Sequence, residues 1–81
     1  MTDWKAFIDT EESVLAGKPK IKGTRLSVEF LIGRLADGWS EGELLESYPQ
    51  LTKASLQAVY SYLLELVQDG LIYTPINRTA A

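Results

Sequence analysis

Residues 17–26 read Gly-Lys-Pro-Lys-Ile-Lys-Gly-Thr-Arg-Leu and hold four of the chain's eight basic residues, Lys18, Lys20, Lys22 and Arg25, without a carboxylate among them. Ammonium and guanidinium groups crowded onto one short stretch can neutralise a row of phosphates, each adding to a salt-dependent affinity. The segment stands out against its background. Five basic residues and one acidic residue over 17–34 give a local charge of +4, while the whole chain carries −3, so the remainder sums to −7. Such polarisation suits a polyanion on one side of the molecule and a different partner on the other. In an extended ribbon Lys20, Lys22 and Thr24 point outward and Ile21 points inward. A second reading of the same lysines is an edge strand guarded against aggregation. Arg25, just before a helix start, is either a phosphate contact or an ion-pair partner of Asp37 or Glu46.

Other chemistries fit poorly. Gly17-Lys18 does not make a phosphate loop, because Glu12 stands where the first glycine is needed and Pro19 replaces the serine or threonine after the lysine. The chain has no histidine and no cysteine, which removes the commonest general base, the thiolate nucleophile and the usual transition-metal ligands. Glu41, Glu43 and Glu46 cluster in sequence, but Glu43 has the spacing of a helix cap, and acidic helix faces are ordinarily solvated. Serine hydrolysis lacks both a histidine and a nucleophile elbow. The expectation is a non-enzyme with no catalytic residue, metal or cofactor.

The elements that must position the basic stretch follow from periodicity. Eighty-one residues make a single small domain over 1–81 with a thin core. Residues 4–24 are expected as an extended β-arm or hairpin, with Trp4, Ala6 and Ile8 on one face of a first strand and Ser13-Val14-Leu15 as a second. From Ser27 the period becomes helical. Ser27 caps a first helix over about 28–37 that ends at Gly38. Ser40 and Glu43 form a capping box for a short second helix that stops before Pro49. Thr52 caps a third helix running to about Gln68, with Gly70 beyond it. This three-helix unit occupies 27–69, and an apolar extension with a polar tail occupies 71–81. No apolar run is long enough to span a bilayer, and the N-terminus carries no signal-peptide core, so the expected location is cytoplasmic.

Three helices with a short turn before the last resemble a helix-turn-helix, in which the third helix enters the major groove. Lys53, Ala54 and Gln57 face outward at its start, and Gln57 has adenine-pairing and Lys53 guanine- or phosphate-pairing capacity. The competing reading is a plain polar helix surface on a scaffold. On the third helix Leu56, Val59, Tyr60, Tyr62, Leu63, Leu66 and Val67 cover an arc of roughly 160°. That exceeds what one thin core uses. Tyr62 and Leu66, with Leu71, Ile72 and Tyr73 of the extension, are therefore the candidate contacts for a partner protein or a homodimer.

The combined pattern Gly17-Lys18-Pro19-x-Ile21-x-Gly23-Thr24-Arg25-Leu26-x-Val28, Leu35-Ala36-x-Gly38-x-Ser40-x-x-Glu43-Leu44-Leu45 and Tyr48-Pro49-x-Leu51-Thr52 resembles the prokaryotic domain-of-unknown-function family numbered four-three-three. The resemblance spans about residues 6–65. It implies a VapB-like antitoxin with a homeodomain-like helix-turn-helix, binding operator DNA and a PIN-like ribonuclease toxin. It implies no active-site residue. Ser27 departs from the proline the family usually carries there, and Ala54 and Ser55 replace its frequent acidic residues. The functional alternative is a protein–protein adaptor without DNA binding.

Overall fold

In the computed structural model, which describes residues 3–70, a two-stranded antiparallel ribbon precedes three helices. The strands are β1 (Ile8–Asp9) and β2 (Lys20–Ile21), paired Ile8 to Ile21 and Asp9 to Lys20. The helices are α1 (Val28–Ala36), α2 (Glu41–Ser47) and α3 (Lys53–Gln68).

Each helix begins at a side chain that satisfies otherwise unpaired backbone donors. The Ser27 hydroxyl accepts from the Phe30 N–H at 2.9 Å. Ser40 and Glu43 make the expected reciprocal box, Ser40 Oγ accepting from Glu43 N–H at 3.1 Å and Glu43 Oε1 from Ser40 N–H at 2.8 Å. Thr52 forms a second box with Ser55, which periodicity alone did not suggest. The Ser55 hydroxyl accepts from Thr52 N–H at 2.9 Å and donates to the Thr52 carbonyl at 2.8 Å, so a hydroxyl that is only 3% exposed keeps its hydrogen bonds. Gly38 and Gly70 follow α1 and α3 as expected, and Tyr48 leaves helical geometry ahead of Pro49.

The N-terminal region departs from the extended reading. Trp4–Ala6 is a single 3₁₀ turn, capped when the Asp3 carboxylate accepts from Lys5 N–H at 3.1 Å. Its purpose is visible in Trp4. The indole N–H donates to Glu65 Oε2, and the ring meets Tyr62 edge-on at 4.8 Å. Burying that ring against α3 outweighs strand alternation over residues 4–8. The second expected strand, Ser13–Leu15, is reduced to one bridge between Glu11 and Val14. The chain then takes three successive left-handed residues, Leu15, Ala16 and Gly17, at φ 54°, 55° and 81°.

The ribbon is a wall of the core rather than a free arm. Ile8 and Ile21 join Val28, Leu31, Leu44, Leu51, Leu56, Ala58 and Val59 in one buried cluster. Across its far side the Tyr60 hydroxyl donates to Glu41 Oε2 at 2.6 Å and ties α2 to α3. The Glu41 hydrogen bond, aided by burial, pushes the Tyr60 phenol from 10.0 up to about 12.

Two outcomes follow from this local chemistry. Ala16→Gly relieves a left-handed alanine and should raise stability by up to about 1 kcal/mol, read from urea midpoints, because the steric relief exceeds the added unfolded-state entropy. Tyr60→Phe should cost about 1 kcal/mol at pH 7. The folded phenol is held neutral, so its stabilisation is complete below pH 10 and fades as pH rises toward about 12. The melting-temperature gap between Tyr60→Phe and the parent should therefore narrow across that window.

Candidate functional site

β-pairing places Asp9 directly opposite Lys20, and the bend at Glu11 returns a second carboxylate to the same amine. Lys20 Nζ sits 2.8 Å from Asp9 Oδ1 and 2.9 Å from Glu11 Oε1, with the lysine 1% exposed. The hydrogen bonds to Asp9 and then Glu11 raise the Lys20 pKa above its ordinary value, opposing the effect of burial. Strand alternation predicts Lys20 outward toward phosphate with Lys22, whereas its side chain is buried. Once two carboxylates share its amine, Lys20 has no charge left to offer a polyanion. Its side chain and that of Ile21 are both buried because the ribbon is covered on two sides, so alternation fails there.

The rest of the basic stretch is shaped by a tight turn. The Ile21 carbonyl accepts from Thr24 N–H at 3.1 Å and from the Thr24 hydroxyl at 2.8 Å. Thr24 Oγ1 in turn accepts from Leu26 N–H at 3.0 Å. Gly23, third residue of the turn, has φ +74°, which glycine takes at no steric cost. Gly23-Thr24 is thus a backbone device, and its product is to hold Lys22 and Arg25 outward as exposed cations. Among the described residues Arg25 forms no ion pair with Asp37 or Glu46.

Arg25 lies beside the start of α3. Arg25, Thr24 and Gly23 line an open cavity of about 500 Å³ together with Glu11, Val14, Lys20 and Gln50, the last of which stands two residues before the α3 cap Thr52. Lys53, Ala54 and Gln57 are exposed on the first turns of α3. Lys22, Arg25, Lys53 and Gln57 are therefore exposed on the basic turn and on the helix that Gln50 connects to it. Lys18 belongs elsewhere. It pairs with Glu29 at 3.1 Å on the rim of a groove along α1, with both side chains more than half exposed.

The partner candidates occupy a different surface. Tyr62 and Leu66 line an apolar groove of about 310 Å³ with Pro19, Val28, Ile32 and Leu63. Leu64 and Val67 are 50% and 49% exposed on the same half of α3. Leu71, Ile72 and Tyr73 lie outside the described residues.

Of the Glu41, Glu43 and Glu46 cluster, Glu41 accepts from Tyr60 and Glu43 caps α2. Among the described residues no group of three or more metal-ligating side chains is assembled. No helix among them is long and apolar enough to cross a membrane. One group that composition did not flag is Arg34, whose guanidinium carbon lies over the Phe30 and Trp39 rings, 4.9 and 5.0 Å from their centres. The i, i+4 spacing of Phe30 and Arg34 on a predicted helix was the available signal.

Residues 8–63 match the family model described as "Protein of unknown function (DUF433)". The chain is also similar to the crystal structure of a DUF433 member protein from Anabaena variabilis, with 31% sequence identity and a TM-score of 0.70. That match covers 76% of this chain and 61% of the other, so the chain spans about three fifths of its solved relative. No curated protein matches the chain.

Removing the Lys20 amine should unfold the ribbon before any surface is tested. Lys20→Ala should lower the melting temperature more than Lys18→Ala and Lys22→Ala combined, measured by circular dichroism. Equal losses at the three positions would return Lys20 to the solvent-facing set.

Proposed function

We propose, for a chain that belongs to the DUF433 family of proteins of unknown function, the role of a small DNA-binding antitoxin whose α2–α3 pair acts as a helix-turn-helix. The observation that carries the proposal is that exposed Arg25 lines one cavity with Gln50, which lies at the entry to α3. A major-groove helix reads bases with its first turns while neighbouring cations hold the phosphates. Lys53 and Gln57 are exposed on those turns, and Lys22 and Arg25 are the neighbouring cations. The five residues 48–52 between α2 and α3 make a connection one residue longer than the three- to four-residue turn usual in such a unit.

The antitoxin part of the proposal rests on the resemblance to VapB-like antitoxins. In that role the protein neutralises a PIN-like ribonuclease toxin, and the apolar groove at Tyr62 and Leu66 is the surface available to a partner or to a homodimer. A symmetric pair would match a palindromic operator. A second reading, an adaptor that binds protein alone, is favoured by that same groove and by the overall charge of −3.

Fluorescence anisotropy with the DNA upstream of the protein's own gene separates the two. Three phosphate-facing cations should give a slope of log affinity on log salt near about −3 per protomer. The double variant Lys22→Ala, Arg25→Ala should flatten that slope by about 2 while the fold and partner binding persist. A salt-insensitive response, or no binding to that DNA, would leave the adaptor.

A further inference from the structure

α3 ends in a geometry that directs the following chain back along the helix. Gly70 sits at φ +75°, and its N–H donates to the Val67 carbonyl at 3.0 Å. The N–H of Asp69, the α3 cap, donates to the Glu65 carbonyl at 2.9 Å. A left-handed glycine whose N–H reaches back into the last turn is the Schellman stop of a helix. In that motif the residue after the glycine commonly packs against the third residue from the helix end. Here that third residue is Leu66, and Leu71 follows the glycine in sequence.

Leu66 is also a wall of the apolar groove of about 310 Å³ that α3 forms with α1, where Tyr62, Leu63 and Ile32 are half-buried. The groove therefore opens where the redirected chain arrives. Residues 71–76 read Leu-Ile-Tyr-Thr-Pro-Ile, a mostly apolar run without a charged residue. Pro75 opposes a further helix and biases Thr74 to extended backbone. In an extended segment Leu71 and Tyr73 face one side. Six extended residues reach about 20 Å, whereas Leu66 and Tyr62 are about 6 Å apart along the helix axis. The carboxylate at the groove, Glu29, is paired with Lys18 at 3.1 Å, and an uncharged segment meets no repulsion from it.

A separate molecule fits this groove less well. A stable dimer contact uses roughly 20–30 residues a side, while seven residues line the groove. A tethered segment also avoids most of the translational and rotational cost of association, and a short tether gives it an effective concentration on the order of millimolar.

We infer that residues 71–76 fold back from Gly70 into the groove between α1 and α3, with Leu71 seated on Leu66 and Tyr73 following toward Leu63 and Ile32. The segment is a built-in cover, and a partner protein or a second copy reaches the groove only by displacing it. The inference rests neither on DNA binding nor on the antitoxin reading.

The test is NOE spectroscopy on the full chain with labelled leucine, isoleucine and tyrosine. Cross-peaks should join Leu71 to Leu66, and the Tyr73 ring to methyls of Leu63 or Ile32. In a mixture of labelled and unlabelled chains, a filtered experiment should show none of them between molecules. The double variant Leu71→Asp, Tyr73→Asp should lose these cross-peaks and keep the helical circular dichroism. It should also bind the dye ANS at the uncovered groove, with a several-fold rise in fluorescence over the parent. Absence of the cross-peaks in the unaltered chain would overturn the inference, and that measurement depends on no variant. Cross-peaks found only between molecules would overturn it in favour of a second copy. Equal dye fluorescence from the parent and the folded double variant would also overturn it.

Discussion

A protonated lysine placed almost out of reach of water organises this molecule. Lys20 can stay charged there only if Asp9 and Glu11 remain within hydrogen-bonding distance, and each of them constrains a different piece of chain. Asp9 holds β1 in register with β2, which sets Ile8 opposite Ile21 and delivers both to the core. Glu11 holds the bend that precedes the left-handed residues 15–17. On its other edge Lys20 bridges to Ser27, the cap of α1, so the ribbon and the first helix are positioned by the same residue. A slip of one residue would carry the amine away from its carboxylates and bring an isoleucine to the surface.

From that anchor the polar and apolar surfaces follow. The turn after β2 has its ends fixed by the ribbon and by α1, so the backbone that carries Lys22 and Arg25 is tied down by hydrogen bonds. Trp4 pins the N-terminal turn to the outer half of α3 and covers one side of Tyr62, leaving Leu63 and Leu66 to line the open groove with Ile32. The two faces of α1 are divided likewise, with Val28 and Leu31 in the core and Phe30, Gly33 and Arg34 outward. Cations near α3, an apolar groove and an aromatic-flanked arginine are thus separate features of one small core.

The helical half was legible because its signals are local. Ser27, the Ser40–Glu43 pair, Thr52, Gly38 and Gly70 act within one turn of themselves, and the structure places helix ends within a residue or so of where they indicate. The N-terminal half is not legible in the same way, because its determinants are distant in sequence. Trp4 answers to Tyr62 and Glu65, and no alternation over residues 4–8 could reveal that. Of the candidate DNA contacts, Lys22, Arg25, Lys53 and Gln57 are exposed, Lys18 turns to Glu29, and Lys20 is withdrawn.

Sequence by itself determined the three helices, their caps, the single core and the family pattern, since each depends on residue types at short, regular spacing. Only the tertiary structure decided which basic residues keep a free charge. Five cations written close together look alike in a string, but burial and carboxylates brought from elsewhere act on each separately. Lys20 keeps its proton but directs its charge to Asp9 and Glu11 across a strand pair, and Arg34 lies over two aromatic rings with no counter-ion among the described residues.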